Sequence, residues 1–513
     1  MIAKANGCGL AGLDGFITEV EVDVSMGLPA FDIVGLPDAA VKESKERVRS
    51  AIKNSNFEMP TKRITVNLAP ADKKKEGPAF DLPITVALLA AIEQIERGCL
   101  GEYMFLGELS LDGRLRSING VLPMVICAKQ NGVKKVVLPF DNADEAAVVK
   151  DIEIYGAHTL YDIVLHLRGE QQLCPHFTDT DSLFNANIDY PLDFADVKGQ
   201  ENVKRALEVA VAGGHNILMI GTPGSGKSML AQRLPSILPD LTFDEALEIT
   251  KIHSIAGTLP GNSSLLTVRP FRNPHHTISA ASLAGGGSVP KPGELSLAHN
   301  GVLFLDELPE FRKDVLEVMR QPLEDGEVTI SRVNGTLTYP CRTMLAASMN
   351  PCKCGYLGDT SRECTCTPAQ VSWYRGKISG PLLDRIDIHI EVAAVKYSDL
   401  DSAHTGETSA QIKARVNNAR MIQLKRYGQQ GIYSNSQLYA SKIREYCVLG
   451  LEEKELLKAA FENLGLSARA HDRILKVART VADLDGSDKI GVKHIAEAIQ
   501  YRSLDRRYSQ ELF

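Results

Sequence analysis

The stretch Gly221-Thr222-Pro223-Gly224-Ser225-Gly226-Lys227-Ser228 sets glycines, a lysine and a hydroxyl at the spacing G-x-x-x-x-G-K-S. Glycines so spaced let backbone N–H groups wrap phosphate oxygens, and a helix N-terminus behind them adds a favourable dipole. Lys227 would reach the β- and γ-phosphates of ATP, and Ser228 would hold Mg²⁺. The apolar run Ile217 to Ile220 predicts a strand before the loop; Met229, Leu230, Ala231 and Leu234 suit a helix after it. That strand-loop-helix context separates a phosphate loop from a chance match.

A second set follows at Gly301-Val302-Leu303-Phe304-Leu305-Asp306-Glu307. Four apolar residues predict a buried strand, and two carboxylates sit at its C-terminal end. Asp306 would complete the Mg²⁺ shell, and Glu307 would orient and activate the attacking water. A third predicted strand, Met344 to Met349, ends in Asn350. Directly after it come Cys352-Lys353-Cys354 and Cys364-Thr365-Cys366. Four thiolates in two C-x-C pairs suit a tetrahedral, structural Zn²⁺ site with no open water position. Reduced thiols without a ligand are the other reading.

Two segments between these sets are not core. Phe271 to His299, rich in Gly, Ser and His, predicts a long ordered loop whose histidines shape it rather than catalyse. Glu327 to Arg332 and Thr336 to Tyr339 alternate around Asn334-Gly335, a strong hairpin signal. Arg332, Asn334 and Thr336 would contact a nucleic-acid backbone if that hairpin lined a pore; a plain surface hairpin is the alternative.

These elements must be held by a large chain. Its 513 residues are 44% hydrophobic and 24% charged, and its net charge of −7 excludes a wholesale basic coat for nucleic acid. The longest apolar run, Ile84 to Ile92, is far short of a membrane span, and Met1-Ile2-Ala3-Lys4 opens no signal peptide, so a cytoplasmic protein is expected. The pattern is α/β. Residues 1–168 alternate strands (Phe16 to Val24, Phe31 to Pro37, Ile64 to Leu68, Val136 to Pro139) with helices (Ala39 to Asn54, Leu82 to Ile95). Residues 169–190 are polar and aperiodic, a linker; 191–395 carry the nucleotide elements; 396–513 are helical, with clear stretches at Gln411 to Lys425, Glu452 to Leu464 and Val492 to Tyr501. Lys73-Lys74-Lys75 reads as a solvated loop, with DNA contact as the alternative. Arg502, Arg506 and Arg507 read as ion pairs on a solvated face.

Several stretches resemble known families. Residues 1–168 resemble the proteolytic domain of Lon in its RadA version, through Asn67 to Asp72, Lys75 to Leu82, Gly113 to Arg116 and Gly132 to Pro139. The family's nucleophilic serine falls at Ala79, which has no hydroxyl, and no lysine sits where its partner base would be expected, in Leu122 to Ile126. The resemblance therefore implies an inactive protease fold used as scaffold or DNA-contacting collar. Phe194 to Gln200 resembles the adenine-holding segment of AAA+ proteins, and Asn350 their polar sensor. Leu382 to Asp387 resembles the arginine-finger segment of the clade of MCM helicases and magnesium chelatases. Arg385 would then stabilise charge on a neighbouring subunit's ATP, which requires a ring; a surface ion pair with Asp384 or Asp387 is the alternative. The helix from Ser467-Ala468-Arg469 resembles the second sensor of AAA+ lids, with Arg469 as the first choice for phosphate contact and Arg473 in reserve.

Over nearly its full length the chain resembles the ComM/YifB family, magnesium chelatase-like AAA+ ATPases. The most specific pieces are Asn273 to Thr277, Pro292 to Glu307 and Ser467 to Asp483. The resemblance implies a hexameric DNA motor that drives branch migration during natural transformation, acting on single-stranded and branched DNA. Two other readings compete. A chelatase-type ATPase would remodel a protein partner; the Lon-like region is expected to set the chain apart from chelatase motor subunits. An ATP-dependent protease is opposed by Ala79.

Overall fold

A computed structural model describes residues 1–185, 190–260, 263–287, 290–332, 335–359, 362–394, 406–428, 430–464 and 466–503. The chain forms two compact units, Met1–Ala186 with Phe243–Thr267, and Asn187–Thr242 with Val268–Phe513.

The first unit is built on a seven-stranded mixed sheet. Its order is Ala30–Val34, Arg63–Ala69, Asp14–Ser25, Ile2–Ala11, Tyr103–Phe105, Lys135–Pro139, Glu153–Ala157. Asp14–Ser25 alternates buried and part-exposed residues along its length, so one face enters the core. Helix Ala39–Asn54 buries Val41, Ser44, Val48, Ala51 and Ile52, a helical stripe, and starts at Asp38, whose carboxylate accepts from Val41 N at 2.8 Å. Helix Asp81–Ala91 is buried on every side. It ends at Ala91, short of the expected Ile95, because Glu93 takes a left-handed backbone with φ of 64°.

Three expectations change in this unit. Lys75 is not solvated: it is fully buried, with Nζ donating to the carbonyls of Pro70 and Lys73, while Lys73 and Lys74 are exposed. The aperiodic 169–190 stretch contains a short helix, Thr180–Asn185, started by Asp179, which accepts from the N–H groups of Asp181 and Ser182. The third change is a segment from later in the chain. Helix Phe243–Ala256 belongs to this unit, where Ser254 O accepts from Gly120 N at 3.1 Å and Ser254 Oγ donates to the buried Glu145 carboxylate.

The second unit carries a five-stranded, all-parallel sheet ordered Phe271–Arg272, Val302–Leu305, Met344–Met349, Ile217–Gly221, Ile388–Val392. Its three central strands are completely buried, as parallel strands covered on both faces must be. The helices Ser409–Tyr427, Leu451–Leu464, Ala468–Leu484 and Val492–Gln500 follow, with their apolar stripes in the same core cluster. The stretch between Phe271 and His299 is more regular than a loop: helix Ala280–Ala284, a two-residue ribbon and helix Glu294–Leu297 bury Leu283, Leu295 and Leu297. His299 is buried and its Nδ1 accepts from Arg342 N at 3.1 Å, a structural role. No helix among the described residues is long and apolar enough to cross a membrane.

Candidate functional site

All strands of the second sheet run the same way, so their C-terminal ends form one edge. There the loop after Ile217–Gly221 turns through Gly224 and Gly226, both at positive φ, into helix Lys227–Gln232. Ser228 Oγ donates to Asp306 Oδ2 at 2.6 Å, at the end of Val302–Leu305, the next strand but one. Lys227 Nζ donates to the carbonyls of Gly221 and Thr222, each at 2.8 Å, and to Asn350 Oδ1 at 3.3 Å. Burial lowers the Lys227 pKa, against the pull of Asp306 and Glu307. The loop, Asp306, Glu307 and Asn350 therefore meet at one place, as the strand ends dictate.

Glu307 adopts a left-handed backbone, φ 53°, unusual for a residue with a Cβ and costing on the order of 1 kcal/mol. Its N–H is held by Asp306 Oδ1 at 3.0 Å and Ser348 Oγ at 3.3 Å, and Ser348 also donates to Asp306 Oδ1. The carboxylate of Glu307 is left exposed, beside a half-buried Asp306. Ser348 is a residue the sequence reading passed over. Its signal was a lone hydroxyl in the apolar run Met344 to Met349. Gln200 was missed too. It ends the segment Phe194 to Gln200, and its Nε2 bridges Ser225 O of the loop (2.8 Å) and Ala393 O (2.9 Å).

The opposite edge of the sheet holds Arg385. Asn216, just before strand Ile217–Gly221, donates to Arg385 O at 2.9 Å, and Asp387 leads into Ile388–Val392. Arg385 thus sits a strand length, about 13 Å, from the edge that carries the phosphate loop. It forms an ion pair, but with Glu324 and not with Asp384 or Asp387. Asp387 is taken by Arg473 Nε at 3.1 Å and by His215 Nδ1 at 3.4 Å. Burial works to raise the Asp387 pKa, yet His215 and Arg473 outweigh it and hold the carboxyl at about 2. Arg473 therefore belongs to the Arg385 edge. Arg469 is exposed in the first turn of helix Ala468–Leu484, with Ser467 capping the helix through Ala470 N. Arg502 is not on a solvated face: it is 2% exposed and donates to Ile386 O. Arg506 and Arg507 lie outside the described residues.

Strands Glu327–Arg332 and Gly335–Pro340 pair antiparallel with Arg332 opposite Gly335. Thr336 is exposed, its hydroxyl 3.2 Å from that of Ser331. Asn334 lies outside the described residues.

The four cysteines converge. Cys352, Cys354, Cys364 and Cys366 present sulfurs all within 4.8 Å of one another. Cys352 Sγ is 3.4 Å from Cys354 Sγ and 3.6 Å from Cys364 Sγ, and the last two are 3.5 Å apart. Sulfurs on a tetrahedral Zn²⁺ with bonds of about 2.3 Å stand roughly 3.8 Å apart, so the donor set fits. Backbone N–H groups of Cys354 and Cys366 point at Cys366 Sγ and Cys364 Sγ, the support thiolates need. This knuckle abuts the phosphate loop: a Cβ on Gly355 would lie 2.6 Å from Pro223 Cδ, and Gly355 has φ of 89°.

A family model described as magnesium chelatase, subunit ChlI, matches residues 193–400; its C-terminal companion matches 406–502, and one described as subunit ChlI of Mg-chelatase matches 20–142. The last match removes the expectation that the N-terminal region sets the chain apart from chelatases. The competence protein ComM of Haemophilus influenzae is 45% identical over 499 residues, 96% of each chain. An uncharacterized protein YifB of Escherichia coli is 45% identical over 489 residues, 95% of this chain and 94% of its own. Lon protease 2 of Bacillus subtilis is 28% identical over 182 residues, 32% of each.

Proposed function

The chain belongs to the ComM/YifB family of magnesium chelatase-like AAA+ proteins, and on that premise we propose that it is an ATP-driven ring motor on DNA. Family membership implies use of a nucleotide with Mg²⁺. ATP lies along Gly221 to Ser228, and Ser228 with Asp306 holds the Mg²⁺. The ion supplies charge neutralisation between phosphates. Glu307 takes the proton of the attacking water, and Lys227 and Asn350 hold the γ-phosphate. Arg385 completes the site of a neighbouring subunit, Arg469 or Arg473 contacts phosphate, and the ring is a hexamer. The observation that supports this reading is the division of the charged set between two edges of one sheet. A group a strand length away cannot serve its own loop, but can serve the loop of the next copy.

The hairpin with Arg332, Asn334 and Thr336 grips single-stranded or branched DNA, and its movement with nucleotide state drives branch migration in the recombination that accompanies natural transformation. The competence name of the Haemophilus relative supports that setting. Residues 1–168 act as a collar without peptidase chemistry, since Ala79 offers no nucleophile; the nucleotide elements within 191–395 move, except Phe243–Thr267, which packs with residues 1–186, and 396–513 form the lid. Zn²⁺ on the four cysteines braces the loop between Asn350 and Arg385. The test is ATPase rate with no DNA, single-stranded DNA and a four-way junction, followed by junction migration on the same preparations. Stimulation by DNA is expected. A rate indifferent to DNA but raised by a protein partner would favour the chelatase-type reading, which the 20–142 match supports.

A further inference from the structure

Arg385 is held within its own protomer. Nη1 donates to Pro381 O at 2.7 Å and Nη2 to the Glu324 carboxylate. Its Nε is buried and has no hydrogen-bond partner among the described residues. A guanidinium carries five N–H donors in a fixed fork, so this hold is incomplete. Around it lies an open depression of about 280 Å³, lined by Glu317, Arg320, Gln321, Glu324 and Asp325. The depression is acidic, so it suits a cation at rest and not a phosphate.

Glu324 stands at a telling place in the chain. It lies on the short helix Pro322–Asp325, and after Gly326 the strand Glu327–Arg332 of the hairpin begins at once. Gly326 takes φ of 71° and its carbonyl accepts from Cys341 N at 2.8 Å, which closes the hairpin base. The helix that carries Glu324 is therefore joined without slack to the element that grips DNA in the reading above.

We propose that Glu324 is a positioning residue: it withholds Arg385 until DNA on the hairpin shifts the Pro322–Asp325 helix, and then frees it for the neighbouring subunit's γ-phosphate. The inference rests on the ring-ATPase reading and adds the regulation of that site. The Glu324 side chain is 54% exposed, so the pair is screened and weak. A γ-phosphate carries more charge and offers oxygens to the Nε edge that Glu324 leaves unmatched. The exchange therefore favours phosphate once the hairpin base moves, and DNA acts by a differential effect on two states of one contact.

The experiment compares ATPase rates of wild type, Glu324→Gln, Glu324→Asp and Arg385→Ala, each full-length, with and without single-stranded DNA. The unstimulated rate of Glu324→Gln should rise several-fold and its stimulation by DNA should shrink toward none. Glu324→Asp, which keeps the charge, should restore much of the stimulation. Arg385→Ala should lose turnover with or without DNA. Turnover lost in Arg385→Ala but unchanged, or lowered, in Glu324→Gln would overturn the withholding role alone. Turnover intact in Arg385→Ala would instead remove the finger reading beneath it. Matching thermal unfolding of the Glu324 variants and wild type excludes a folding defect as the cause.

Discussion

Ala79 and Lys227 both stand where a helix begins in an α/β unit, yet their neighbourhoods differ. Ala79 is 6% exposed, and its cluster with Cys8, Met104, Val121 and Met124 is apolar. Nearby charges are closed off. Asp81 is fully buried and takes a fork from Arg47 at 2.6 and 2.9 Å plus Leu109 N at 3.2 Å. Lys75 ends on two carbonyls. Lys227 too ends on carbonyls, those of Gly221 and Thr222, but beside it Asp306 is only half-buried and Glu307 stands exposed on a strained backbone. A scaffold satisfies its polar groups with protein, whereas a reactive site leaves some of their capacity for a ligand. Shifted titration alone misleads here: burial raises Glu145, although it serves only to bind Leu122 N, Asn142 and Ser254.

The comparison can be broken most sharply at the loop. Glu307→Gln should bind ATP and lose at least about a hundredfold in turnover, near 3 kcal/mol of transition-state stabilisation, with unfolding unchanged. Normal turnover would end the assignment. The converse is Asp81→Ala, which strands Arg47. It should cost about 3 kcal/mol of stability in the first unit, read by denaturant unfolding, with loss of activity only where the unit unfolds.

A smaller effect is expected at the knuckle. The purified protein should hold about one Zn²⁺ per chain. Its removal by chelator, or Cys364→Ser, should raise KM for ATP about fivefold through Gly355 and Pro223, near 1 kcal/mol. Metal analysis and ATPase titrations check this. The smallest effect concerns Glu145. Its raised pKa makes the folded state bind the proton more tightly, so its contribution is present below the ordinary glutamate pKa and lost as pH rises through the folded one. Glu145→Gln should therefore flatten the fall in melting temperature from acidic toward neutral pH, with Ser254 still able to donate to the amide oxygen.

Much of this was legible in the sequence because it is local. The loop, the strand ending in Asp306 and Glu307, and the helices with 3.6-residue stripes are patterns within about twenty residues. The family resemblance, carried by Asn273 to Thr277, Pro292 to Glu307 and Ser467 to Asp483, is likewise local, and the chain is 45% identical to two relatives over nearly its full length. What was not legible is long-range. Nothing near Phe243–Thr267 signals that it packs with residues 1–186. Arg385 has two acidic neighbours in sequence, yet its partner is 61 positions away. Lys75 looked like part of a charged run, and only the fold turns it inward. Ser348 needed the sheet register, which sets Leu305 opposite Ala347, to bring its hydroxyl to Asp306.

The claim that one active site is assembled from two copies can be tested by mixing. Lys227→Ala keeps Arg385, and Arg385→Ala keeps the loop. Each alone should be nearly inactive. The two are co-expressed with different tags, mixed rings are captured through both tags, and ATPase rate is measured. Recovery of a substantial fraction of wild-type turnover is expected, because an intact loop then meets an intact arginine at some junctions. Mixed rings with no more activity than either parent would contradict the account.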